Sequence, residues 1–197
     1  MNKVLILGAN GQVARVAADL FLKHPNVHLT LFLRRAKKLK VLPSDRVQVI
    51  EGDVMDRKAL EAAMVGQDVV YANLAGELEQ MARNIVQAMK AAGLRRLIII
   101  SSMGIYNEIP GKRHGSILDP YRKSSAIIEA SDLDYTILRP AWLNDRDEIA
   151  YETTQKGEPF KAANESVSRK SVADLVVKLA TTPGLEVHSS LGVNKVT

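Results

Sequence analysis

The chain has 197 residues, 46% of them apolar and 25% charged, with a net charge of +5 and no cysteine. That balance suits one compact domain with a sizeable core and excludes collagen-like, disordered and mucin-like chains. The missing cysteines exclude disulfides, thiolate nucleophiles and cysteine-ligated zinc or iron–sulfur centres.

The first predicted element is a strand at Val4–Leu7, a short apolar run cut off by Gly8, Asn10 and Gly11. Runs of this length fall far short of the roughly 20 residues that cross a bilayer. The interruption also comes too early for a signal-peptide core, so a cytoplasmic protein with no membrane partner is expected. A helix begins near Gln12. Further strands are predicted at Leu29–Leu33, Val47–Ile50, Val69–Tyr71, Leu97–Ser101, Thr136–Leu138 and Glu186–Ser189. Between them, Asp56 is the expected N-cap of a helix over Arg57–Met64 that stops at Gly66. Leu78, Met81, Ile85 and Met89 fall at helical spacing in a helix from Glu77 to Ala92, ended by Gly93. Pro120 opens another helix, and a last one runs from Ser171 to before Pro183. This alternation is the signature of an α/β fold: a doubly wound parallel sheet, Rossmann-type, with helices on both faces, in a single domain over residues 1–197. Two stretches without periodicity, 103–119 and 141–167, follow strands at their carboxyl ends, where open α/β sheets bind ligands. They are the expected walls of a substrate site.

Gly8-Ala9-Asn10-Gly11-Gln12-Val13-Ala14 joins the first strand to the first helix. Glycine there permits a tight turn and lets backbone amides approach a pyrophosphate, and the small Ala14 lets the helix pack close to the strand. The helix N-terminus then offers free N–H groups to the anion. Gly8, Asn10, Gly11, Gln12 and Val13 are therefore candidate dinucleotide-binding residues. An NAD site usually ends its second strand with a carboxylate that accepts from the ribose hydroxyls. Here Leu33 is followed by Arg34 and Arg35, and a guanidinium suits a 2′-phosphate that a carboxylate would repel. The expected cofactor is NADP(H). Five of the seven residues from Arg34 to Lys40 are basic; Lys37, Lys38 and Lys40 either add attraction or simply face solvent. Nucleic acid is an unlikely partner, since no zinc-finger or helix-turn-helix pattern accompanies the cluster.

With these features in place, the chain resembles the atypical short-chain dehydrogenase/reductases, specifically the NmrA-like or NAD(P)H-binding group. Supporting motifs are Gly52-Asp53-Val54-Met55-Asp56, Asn73-Leu74-Ala75-Gly76, Ser101-Ser102-Met103-Gly104-Ile105-Tyr106 and Asp134-Tyr135-Thr136-Ile137-Leu138-Arg139-Pro140. The resemblance implies that Asp53 and Val54 flank the adenine, Leu74 and Ala75 pass beside the ribose, and Pro140 begins the loop near the nicotinamide. It also implies a catalytic Ser and Tyr, matched by Ser102 and Tyr121, with a Lys four residues after the Tyr. That position holds Ser125. Lys123 cannot replace it, because helix residues two apart point to different faces. Lacking a neighbouring cation, the Tyr121 phenol is a poor base but a competent hydrogen-bond donor, which favours reduction over alcohol oxidation.

Some members of the group reduce flavins or quinones without the Tyr-Lys pair, and the helix around Ala82–Lys90 looks like theirs. The expectation is an NADPH-dependent reductase of a small-molecule quinone-, flavin- or carbonyl-like acceptor. The alternative is a non-catalytic NADP(H)-sensing regulator of NmrA type with a protein partner. A sugar-nucleotide epimerase is disfavoured by the missing Lys. Trp142 and Leu143 line an acceptor pocket or plug the loop, and His114 is a proton donor or an ordinary loop residue. His24, His28, His114 and His188 are too scattered to suggest a metal site. No G-x-S-x-G elbow is present to start a hydrolase triad.

Overall fold

The structure is a computed structural model that describes residues 2–39, 44–109, 111 and 115–196. His114 and Lys40 lie outside the described residues. The first strand, β1 (Asn2–Leu7), alternates its side chains between two cores. Val4 and Ile6 face one and Leu5 and Leu7 the other, all four fully buried. A strand covered on both faces needs no polar alternation, which is why the run is continuously apolar.

Helix α1 (Gln12–Phe21) returns the chain to β2 (Val27–Leu33), parallel to β1. It buries Val13, Ala14, Ala17, Ala18 and Phe21. Three alanines on that face allow the close approach that Ala14 was expected to give. β3 (Val47–Glu51), α2 (Arg57–Met64), β4 (Val69–Ala72), α3 (Leu78–Ala91) and β5 (Arg96–Ile100) follow. Asp56 caps α2 as expected, its carboxylate accepting from the Lys58 and Ala59 amides at 3.0 and 3.1 Å. Next come α4 (Asp119–Glu129), β6 (Asp134–Pro140), β7 (Trp142–Asn144), β8 (Glu152–Thr154), β9 (Ser166–Ser168), α5 (Arg169–Thr181) and β10 (Ser189–Asn194).

The main sheet has the order β3-β2-β1-β4-β5-β6-β10-β8. Every neighbouring pair is parallel except β10 with β8. Helices α1 and α5 cover one face, while α2, α3 and α4 cover the other. This is the doubly wound Rossmann-type arrangement, and strand order reverses between β1 and β4, the place where such sheets bind ligands. Among the described residues no helix is long and apolar enough to cross a membrane.

Two expectations need correction. The last parallel strand is Ser189–Asn194 rather than Glu186–Ser189: Glu186 and His188 have φ of 51° and 56° and form the turn that precedes it. Gly192 is an unfavourable residue within a strand. It is tolerated because Thr154 and Phe160 occupy the space a Cβ would need. The stretch 141–167 is also not wholly irregular. It supplies β8 to the sheet edge, and β7 pairs with β9 in a separate two-stranded sheet.

Candidate functional site

A cleft of about 450 Å³ opens at the carboxyl ends of β1, β2, β3 and β4. Its lining includes Gly8, Asn10, Gly11, Arg34, Arg35, Asp53, Val54, Leu74 and Ala75, together with Phe32, Leu33, Gly52, Asn73 and Met81. Nine of the twelve expected cofactor residues thus meet in one cavity. Val13 is buried on the inner face of α1, Gln12 opens that helix, and Pro140 is buried at the end of β6; none of the three lines the cleft.

The glycine turn is held from below. The amides of Gly8 and Ala9 donate to the Phe32 carbonyl at 3.0 and 3.3 Å, and Gly11 N donates to Gly8 O at 2.9 Å. Gly8 has φ +78°, and a Cβ on it would strike the Asn73 carbonyl oxygen; one on Gly11 would strike the Asn73 side-chain amide. Both glycines therefore serve first to let the turn lie against the end of β4, a contact between residues over sixty apart that the local motif does not reveal. Helix α1 starts after Gly11, which offers no side-chain cap. By contrast, Asp56 caps α2, and Ser168 caps α5 by accepting from the Ser171 amide at 2.9 Å. The first-turn amides of α1 have no intrahelical acceptors and remain available to an anion.

At the mouth of the cleft Arg34 and Arg35 are exposed. The turn that follows them is tied down by Glu51, whose carboxylate accepts from the Ala36 amide at 2.8 Å. Asp53 accepts from the Met55 amide at 2.9 Å, a local turn that leaves its other oxygen uncommitted to that bond. Beneath it, buried Asn84 on α3 donates to the carbonyls of Val54 and Met55 at 3.0 and 3.2 Å. Asn84 had not been singled out as a site residue. Its signal was a polar residue on the apolar stripe of α3, between Met81 and Ile85.

Ser102 and Tyr121 lie away from this cavity, on the β5 and β6 side. Both are half-buried; the Ser102 hydroxyl donates to Met103 O at 3.1 Å, and Tyr121 packs against the core of the α2, α3 and α4 face. Ser125, in the place of the family Lys, is buried with its hydroxyl 3.1 Å from that of Ser101. Lys123 points elsewhere and pairs with Glu79 at 3.3 Å. Trp142 is exposed rather than acting as a plug. A wider hollow of about 850 Å³ sits at the opposite, amino edge of the sheet. Its guanidinium, Arg96, is committed to the carbonyls of Asp134, Leu179 and Leu185 and to Thr136.

The model of the NAD(P)H-binding family matches residues 8–183. The chain belongs to that family. A Rossmann-fold NAD(P)-binding family protein from Shigella flexneri is 43% identical, with a TM-score of 0.90 over 99% of this chain and 94% of that one. A short-chain dehydrogenase/reductase from Veillonella parvula, solved in complex with NADP, is 30% identical, with a TM-score of 0.87 over 98% and 94%. Among curated relatives, an uncharacterized sugar epimerase of Bacillus subtilis is 26% identical over 89% of this chain and 86% of its own length. An NAD(P)H azoreductase of Xenophilus azovorans is 23% identical over 93% of this chain. The match spans 65% of the azoreductase.

Proposed function

We propose that the protein is an NADPH-dependent reductase that passes hydride to a small acceptor of quinone, flavin or carbonyl type. The observation that carries this reading is the cleft itself. A glycine turn and an uncapped helix start lie at the switch point, with two arginines where an NAD-selective site ends its second strand in a carboxylate. The related NADP complex and the azoreductase support the same direction.

The residues present fit the dinucleotide. The Asn10, Gln12 and Val13 amides would receive the pyrophosphate, the Gly8, Ala9 and Gly11 amides being spent on holding the turn, and Arg34 and Arg35 would hold the 2′-phosphate. Asp53 and Val54 flank the adenine, Leu74 and Ala75 border the ribose, and Pro140 leads the chain past the nicotinamide. When bound, the reduced nicotinamide supplies the hydride. The protein's own task is then to orient the acceptor between loops 103–119 and 141–167 and to donate hydrogen bonds to the oxygen that gains charge. The Ser102 and Tyr121 hydroxyls are assigned that role.

A second reading, a sensor that binds NADP(H) without turnover, is favoured by one observation. The family Lys position holds Ser125, bonded to Ser101, and Lys123 is paired with Glu79, so neither position supplies a cation to Tyr121. The same feature argues against epimerase chemistry, which needs a base. Titration with NADPH and NADH, followed by loss of nicotinamide absorbance over a panel of quinones, flavins and aldehydes, separates these readings. Steady NADPH consumption supports the reductase. Tight binding without consumption across the panel supports the sensor, and failure to bind either nucleotide defeats both.

A further inference from the structure

The substrate side of the molecule is built around a buried ion pair that the cofactor cleft does not use. Arg139 on β6 and Glu108 in the loop after β5 keep 1% and 4% of their side-chain surface exposed, and Arg139 Nη1 donates to Glu108 Oε1 at 2.5 Å. Arg139 is held from the other side by Ser190 on β10, its Nε donating to the hydroxyl at 3.1 Å and its Nη2 to the carbonyl at 3.0 Å. Glu108 in turn accepts from two backbone amides of its own loop, Gly104 N on Oε1 and Tyr106 N on Oε2, both at 2.9 Å. Its carbonyl accepts from Phe160 N at 3.1 Å, which attaches the second loop. The guanidinium also lies 5.2 Å from the Tyr106 ring centroid and 6.0 Å from that of Phe160.

We propose that the Glu108–Arg139 pair is the positioning element of the acceptor site: it sets the turn that carries Ser102 and moors the loop of Phe160 to the same point. This rests on the reductase reading, in which Ser102 faces the acceptor. The geometry of the turn supports it. Ser101 N donates to Leu138 O at 2.7 Å and Met103 N to Pro140 O at 3.4 Å, so the backbone on both sides of Ser102 is pinned to β6. The next amide, Gly104 N, is pinned by Glu108, and Gly104 adopts φ +86°. A carboxylate that receives two amides and a guanidinium defines one loop conformation, because each bond fixes a different atom of the turn. Burying a charge pair is a costly way to gain stability alone, since apolar residues of similar size often serve as well. What apolar residues cannot do is accept the Gly104 and Tyr106 amides.

The variant to make is Glu108→Met combined with Arg139→Met, because removing one partner would strand the other charge in the interior. Thermal unfolding checks that it folds. Its NADPH dissociation constant should stay within about twofold of wild type, while kcat/KM for a naphthoquinone acceptor falls about tenfold or more, through loss of orientation. Adding Ser102→Ala to this background should cost less than about twofold further, although the same substitution is harmful in wild type, since residues acting as one unit are not additive.

Wild-type kcat/KM in the folded double variant overturns the proposal, as does a Ser102→Ala loss of equal size in both backgrounds. A harmless Ser102→Ala in wild type overturns the assignment of Ser102 and the positioning built on it. If wild type turns over no acceptor, the reductase reading fails and amide hydrogen exchange decides the mooring. At least about tenfold faster exchange of Gly104 and Tyr106 in the double variant supports it, and unchanged rates overturn it.

Discussion

The two halves of the carboxyl edge are built in different ways. Below the cofactor cleft, at β1 to β4, the working parts are backbone: a left-handed glycine, a bare helix start and turns tied by short-range bonds such as Met55 N to Asp53. Over β5, β6 and β10 they are side chains brought together from distant positions, with Arg139 meeting Glu108 across 31 residues and Ser190 across 51. On the proposed reading, the first half recognises the part of the cofactor common to nicotinamide dinucleotides. On the same reading the second half faces the acceptor and is free to differ with it, which fits a general rule that specificity is carried by elements grafted onto a common sheet.

If the cofactor half depends on close backbone approach, a single methyl group should damage it most. Gly8→Ala forces a Cβ against the Asn73 carbonyl at φ +78°. Left-handed strain and overpacking together predict a loss of about 2–5 kcal/mol. Denaturant unfolding should record that loss and nucleotide titration a parallel fall in affinity; a variant as stable as wild type would show that β4 yields, and the contrast with the side-chain-built half would weaken.

Next in size is Arg34→Ala with Arg35→Ala. Each charge-assisted bond to a phosphate contributes about 1.5–3 kcal/mol, so NADPH should bind roughly 10- to 100-fold more weakly for each bond lost while NADH is little affected. Equal weakening of both nucleotides would mean that the arginines act through general attraction, not through the 2′-phosphate. Ionic strength sorts the two cases, because long-range attraction between exposed charges is screened by salt.

This contrast also explains what was legible in the sequence. The glycine turn, the paired arginines, the Asp56 cap and the stripe of α3 each declare themselves within a few residues, and the structure assembles nine of the named positions into one cavity. Asn73 and Asn84 act across strands and helices, so their roles were invisible until the sheet order was known. Arg139 is fully buried against the ordinary expectation for arginine, and its partner lies in a loop that had no periodicity to read. The last strand was misplaced for a related reason. Gly192 is unfavourable in an isolated strand and becomes suitable only beside Thr154 and Phe160.

Within the substrate half, Ser125→Ala tests whether the residue in the family Lys position takes part in chemistry. Its hydroxyl meets only that of Ser101 among the described side chains, so losing it should cost about 1 kcal/mol of stability. Turnover should change less than about twofold. A larger drop in kcat with unchanged stability would place Ser125 in the chemistry of the acceptor site.

The smallest effect is expected at the amino edge of the sheet, remote from both halves. Arg95 holds Asp134 through two bonds, Nε to Oδ2 at 3.2 Å and Nη2 to Oδ1 at 3.0 Å. Its guanidinium, with weaker help from His188, keeps the Asp134 carboxyl below the usual aspartate range. Because the folded value is the lower one, the unfolded chain binds the proton more readily. The pair's contribution is therefore present at neutral pH, begins to fade as pH falls through the ordinary aspartate range, and is gone once the folded carboxyl is also protonated. Arg95→Ala should lower the denaturant midpoint slightly at pH 7, since the pair is half-exposed and screened. The wild-type and variant curves should then converge in strong acid, with nucleotide affinity unchanged throughout. A gap that persists below the titration of Asp134 would show that Arg95 acts mainly through its bond to the Asp132 carbonyl, which does not titrate.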